Sequence, residues 1–151
     1  MKLKDVPIES GRIPLDQLND FMKAHKWSVP FIATSEEYVD STETVIDGKK
    51  ETKSAGLKIN LWTGKNFQSA YDINKKQIVP KGVLYEDGLM VTQKYSKIAG
   101  GMLTANLEKL GYDDTQILQD KFFDYELSPQ RTGFPRLIPQ IVNDKKPEKL
   151  A

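Results

Sequence analysis

The stretch Leu57-Lys58-Ile59-Asn60-Leu61-Trp62 constrains the fold of this chain more than any other. Leu57, Ile59 and Leu61 alternate with Lys58, Asn60 and Trp62, the period of a strand with one buried and one solvated face. The solvated set is unusual, because it places an aromatic ring beside a cation and an amide. Thr63-Gly64-Lys65-Asn66 carries turn chemistry, and Phe67 to Ile73 reads as a second strand returning beside the first.

A chain of 151 residues suits one domain with a single sizeable core. The expected domain covers residues 1–142, with a flexible tail over 143–151 that is rich in lysine and glutamate. Charged residues make up 28% and hydrophobic ones 38%, a globular balance. No apolar run approaches the roughly 18 residues that span a bilayer, so no membrane partner is expected. The first residues carry cations without a following apolar region, and the expected location is cytoplasmic. The chain has no cysteine, which excludes disulfides, thiolate metal sites and a cysteine nucleophile.

Charge is unevenly spread. Residues 47–82 hold 8 cations against 3 anions, a block of +5 flanked by −3 and −1. Lysines clustered next to aromatics are the pattern expected where a protein tracks a phosphate backbone, since each cation releases a counterion and each ring offers a stacking platform. The same lysines also serve as a solvated edge that resists aggregation.

Taken in order, Pro14, Leu15, Leu18, Phe21 and Met22 predict an amphipathic helix from about Pro14 to Lys26, packed on the sheet. His25, the only histidine, falls at its end and reads as structural. Trp27 to Asp40 predicts an edge or entering strand, because Pro30 lies near its start. Asp47-Gly48 marks the tip of a long hairpin between Tyr38 and Leu61, and Asp87-Gly88 marks another. Ser96 caps a helix that Gly111 ends, although Gly100-Gly101 costs about 1 kcal/mol per glycine in its first turns. Tyr112 to Thr115 caps a short helix through Ile117 and Leu118. Lys121 to Leu127 alternates like a strand, and Phe134 to Val142, with Pro135 and Pro139, belongs on a sheet edge.

The catalytic inventory is thin. One histidine supplies no triad and no histidine-based metal site. Glu51-Thr52-Lys53, with Asp40 or Asp47 upstream, superficially resembles the Asp…Glu-x-Lys pattern of metal-dependent nucleases. That pattern sits on a buried strand, whereas these residues belong to a water-exposed hairpin. No cofactor, no metal and no enzyme activity are expected.

The order of elements is more informative. The fold class expected is α+β, either a single antiparallel sheet or an OB-like five-stranded barrel, with about 5–7 strands and two helices. Three meandering strands, a helix and two closing strands resemble the OB order, in which central strands and loops bind single strands. The expected function is a non-catalytic nucleic-acid-binding accessory protein that uses a basic hairpin and an aromatic sheet face, with single-stranded DNA the favoured ligand. Trp62, Phe67 and Tyr71 are the stacking candidates. Lys49, Lys50, Lys53, Lys58, Lys65, Lys75 and Lys76 are the phosphate contacts. The rival expectation is a protein partner or homo-oligomer, contacted through the C-terminal edge strand with Phe123, Tyr125, Phe134 and Ile138.

Overall fold

Alternating patterns dominate this chain, and a sheet dominates the computed structural model, which describes residues 1–6, 28–65, 82–128, 136–144 and 146–147. The strands are β1 (Ser28–Val39), β2 (Thr42–Ile46), β3 (Lys49–Lys53), β4 (Gly56–Thr63), β5 (Gly82–Tyr85), β6 (Gly88–Tyr95), β7 (Phe123–Ser128) and β8 (Arg136–Val142). Two helices, α1 (Lys97–Lys109) and α2 (Ile117–Asp120), separate β6 from β7. All strand pairs are antiparallel, in a six-stranded open sheet ordered β5-β6-β4-β1-β7-β8 and a separate β2-β3 ribbon. The architecture is therefore α+β. Among the described residues no helix is long and apolar enough to cross a membrane.

The predicted strand at 57–62 is β4, and its alternation translates directly into burial. Leu57, Ile59 and Leu61 are buried while Lys58 is exposed and Asn60 and Trp62 are half-buried. Its expected neighbour was not found. β1 pairs with β4 along one side and β6 along the other over the same residues, so both hydrogen-bonding edges are occupied. Residues 67–73, and the predicted helix over 14–26, lie outside the described residues.

β1 corrects a second expectation, since it is central rather than an edge. Its two halves have different partners: Ser28–Phe31 pair with β7, and Ile32–Val39 pair with β4, with a bulge between Ala33 and Ser35. Among the described residues the Pro30 segment pairs with β7 alone, and a strand paired on one side is where a residue without an amide hydrogen is tolerated. The bulge bends β1 and lets it belong to both halves of the sheet.

The two halves meet on the inner face. Gln93, pointing inward from β6, accepts a hydrogen bond from the Leu137 amide of β8 at 3.1 Å, and the Tyr95 hydroxyl donates to the Leu137 carbonyl at 2.5 Å. Phe31 and Tyr125 pack edge-on at 5.6 Å between centroids. The Tyr125 hydroxyl is buried without a protein partner, and burial first, then the adjacent Tyr95, holds its pKa well above the ordinary 10.0. α1 lies against β8, β6 and β4, and residues 100–107 are buried without a break. Helix and glycine pair thus coexist: α1 starts at Lys97, and Gly100 and Gly101 are enclosed by the sheet rather than excluded from the helix.

The end of α1 follows the sequence closely. Gly111 has a φ of +90°, the Tyr112 amide bonds the Leu107 carbonyl at 3.0 Å, and the Gly111 amide bonds that of Glu108 at 2.9 Å. This is a Schellman termination, and it turns Tyr112 onto Phe123, with ring centroids 6.1 Å apart. α2 is one turn long, and Asp114 Oδ1 accepts the Gln116 amide at 2.9 Å just before it. β8 is a sheet edge carrying Pro139, as its prolines predict. Beyond β8, the Asn143 amide bonds the Phe122 carbonyl at 2.7 Å and Pro147 is buried.

The N-terminal segment is anchored rather than loose. Leu3 and Val6 enter the core, and the Met1 ammonium lies 2.5 Å from Glu36 Oε1, 2.9 Å from Asp114 Oδ1 and 3.0 Å from Thr115 Oγ1. Burial lowers the ammonium pKa, but hydrogen bonds and charge from Glu36 and Asp114 outweigh it and raise the value above 8.0. Asp114 is shifted below 3.8, first by the Gln116 amide and then by the ammonium.

Two outcomes follow for stability. Gln93→Leu strands the buried Leu137 amide and should cost about 1–3 kcal/mol in urea unfolding, and Tyr95→Phe about 1 kcal/mol. The ammonium's contribution is full below its unfolded pKa, near 8, and is lost as pH rises through the higher folded value; that of Asp114 is full above its unfolded pKa and is lost as pH falls through the lower folded value. Urea midpoints measured against pH should therefore fall on both flanks, and Asp114→Asn should flatten the acid flank.

Candidate nucleic-acid interface

The outer face of the sheet is organised in rows, because cross-strand register aligns outward residues of neighbouring strands. One row is charged: Glu37, Lys58 and Lys94, on β1, β4 and β6. The next is polar: Ser35, Asn60 and Thr92. The third is apolar: Ile32, Trp62, Met90 and Val83, reaching β5. Phe122 extends this third row, its ring 6.5 Å from that of Trp62 at an interplanar angle of 64°. Ile32, Trp62, Met90 and Phe122 are half-buried, while Val83 is 57% exposed.

Trp62 is fixed from behind as well as from the side. Gly88 opens β6 beside it, where an added Cβ would lie 2.1 Å from the Thr63 carbonyl oxygen and 3.0 Å from Trp62 Cε2. Only glycine lets the strands approach this closely. Gly56 plays a similar part for Lys94: a Cβ there would meet Lys94 Cγ at 2.9 Å. The aliphatic stem of Lys94 therefore lies over Gly56, next to Lys58 of the facing pair. Lys58 thus has a like charge opposite it on β6 and an opposite charge, Glu37, opposite it on β1.

The arm β2-β3 projects from the β1–β4 hairpin with every residue exposed. Its tip is the predicted Asp-Gly turn, with φ of +52° at Asp47 and +76° at Gly48. Lys49, Lys50 and Lys53 stand on it, but so do Glu43, Asp47 and Glu51. The arm is thus neutral rather than basic, and Lys50 pairs with Glu43 at 3.5 Å. It is also less polar than expected, since Val45 and Ile46 are 68% and 55% exposed beside the turn. Glu51 and Lys53 are exposed, away from the buried strand that nuclease chemistry requires. Among the described residues no three His, Cys, Asp or Glu side chains gather as a metal site.

Of the predicted site residues, the structure brings Lys58 and Trp62 onto one face, puts Lys49, Lys50 and Lys53 on the arm, and leaves Lys65 exposed just after β4. Phe67, Tyr71, Lys75 and Lys76 lie outside the described residues. The chain matches no protein-family model, no curated protein and no solved structure. The face must accordingly be read from its own chemistry. Of the residues in the rival reading, Phe123, Tyr125 and Ile138 are fully buried in the core, β8 itself stands at the end of the sheet order, and Phe134 lies outside the described residues.

Lys94 and Phe122 join the face without having been singled out by sequence, and Asn60, already read as solvated, joins it without having been named a contact. Met90, Thr92 and Lys94 alternate with Leu89, Val91 and Gln93 as β4 does, so their orientation was readable. Which residue they stand opposite was not.

Gly88→Ala should displace Trp62 and cost about 1–3 kcal/mol. Gly111→Ala, with open space around its Cβ, should cost only the backbone penalty of about 1–2 kcal/mol. In a Trp27→Phe background the emission maximum should move for the first variant and stay for the second.

Proposed function

We propose that the outer face of β4 and β6 binds single-stranded nucleic acid, DNA in the first instance, and that the protein is a non-catalytic accessory factor with an OB-like barrel. The observation that carries the reading is Trp62, half-buried on a solvated face, with Lys58 four residues away on the same face of β4 and Lys94 across from Lys58 on β6. A ring that is backed by Phe122 and Gly88 is a rigid stacking platform, and two adjacent ammonium groups suit the phosphates of a strand crossing it.

Strand order supports the OB-like reading. Taken as the five barrel strands, β1, β4, β6, β7 and β8 have α1 between the third and fourth. β1 is shared by both halves, and Gln93 and Tyr95 draw β8 toward β6 as a closing barrel requires. In that scheme β4 and β6 are the second and third strands, the ligand-binding pair, and the β2-β3 arm is the first binding loop. The arm contributes Lys49 and Lys53 as contacts despite its neutral total.

A fluorescent single-stranded decamer should bind at low salt, quench tryptophan, and weaken steeply as salt rises. Trp62→Ala should weaken binding by about 1–3 kcal/mol, and Lys58→Ala should flatten the logarithmic salt slope by about 0.7. Absence of binding at low salt, or binding indifferent to both variants, would overturn the proposal.

A further inference from the structure

Between the charged and apolar rows, one amide is held in a fixed orientation. Asn60 Nδ2 donates to Ser35 Oγ on β1 at 2.7 Å, and Asn60 Oδ1 accepts from Thr92 Oγ1 on β6 at 2.7 Å. Ser35 and Thr92 flank Asn60 on opposite sides within the sheet, so both of these bonds run sideways. A primary amide has two N–H groups and two lone pairs on its oxygen. When the two sites that diverge are taken by lateral neighbours, the remaining N–H and lone pair converge on the edge pointing away from the Cβ, out of the sheet. Exchanging the amide oxygen and nitrogen would leave the same pair of sites facing outward, because either hydroxyl can donate or accept.

We infer that Asn60 is a base-reading residue that pairs with the adjacent donor and acceptor on the edge of a base, adenine among them, in a single strand lying on this face. The inference rests on the proposed nucleic-acid reading. Asn60 and Trp62 are two residues apart on one strand face, about 7 Å, so a base stacked on the indole turns its edge toward the amide. A fixed donor–acceptor pair matches an acceptor–donor pair on that edge. Adenine offers its N6 amino group next to N7 on one edge and next to N1 on another, so two base orientations satisfy the amide. The neighbouring bonds hold the amide in place before binding, which removes the ordering cost that a mobile side chain would carry. The polar row then supplies base preference and the lysines supply sequence-independent affinity.

The test compares decamers of deoxyadenosine and of 2′-deoxynebularine, a purine that stacks similarly but lacks the N6 amino group, at matched salt concentrations across a series from low to moderate. The wild-type chain should bind the adenine decamer roughly five- to a hundred-fold more tightly. Asn60→Ala should bring the ratio to about one while leaving the salt slope unchanged, and a thermal melt should report a folded variant. If both decamers bind the wild-type chain equally, base reading by Asn60 is wrong and the stacking face stands. If neither binds at low salt, the underlying nucleic-acid reading falls and takes this one with it. A variant that loses affinity for both decamers equally would assign Asn60 to holding the face together, against the inference.

Discussion

Two side chains of β6 satisfy both backbone groups of Leu137, and the curvature of the sheet depends on them. A flat six-stranded sheet in this strand order would leave β6 and β8 far apart, separated by β4, β1 and β7. Gln93 and Tyr95 reach across the inner face and bond a residue of β8, which draws the two halves together around a shared core. The bulge in β1 supplies the bend, and the helix enclosed against β4, β6 and β8 fills the space. Gln93 and Tyr95 are tolerated in the interior because Leu137 partners both; the same glutamine without Leu137 opposite would be a liability in an apolar interior.

Curvature also decides what the other face can present. Inward residues of β4 and β6 are committed to the core, so the outward ones form a surface whose chemistry is set by register alone. Rows of charge, amide and aromatic ring lie side by side because Lys58, Asn60 and Trp62 face Lys94, Thr92 and Met90 in turn. The proposed interface joins a stacking ring, a fixed amide and paired cations within three residue pairs. None of these groups is unusual alone; their adjacency gives the face its proposed use.

Much of the fold was legible locally. Alternation located β4, β6 and β7, Asp-Gly pairs located two hairpin turns, Gly111 ended α1, and prolines put β8 at an edge. These features are legible because each depends on residues close in sequence: a strand's own side-chain period, a turn's need for positive φ, a helix's need for a C-terminal cap. The reading of 67–73 as a partner of β4 failed for the converse reason. Turn chemistry after a strand suggests a neighbour, but β4 was already paired on both sides by strands distant in sequence. Pro30 misled in the same way, since β1 lies mid-order in the sheet only because its two halves take different partners, β7 over Ser28–Phe31 and β4 over Ile32–Val39.

The sequence by itself determined which residues of each strand could be buried, where the chain turns, and that the 47–82 segment carries excess lysine. Only the tertiary structure decided that Lys94 stands opposite Lys58, that Phe122 backs Trp62, that Asn60 is held between two hydroxyls, and that Lys50 of the arm pairs with Glu43 across its ribbon. The physical reason is the range of the interactions. Side-chain alternation and turn geometry are properties of the local backbone, whereas cross-strand register is fixed by packing the whole core at once, and a surface assembled from three strands exists only after that packing is settled.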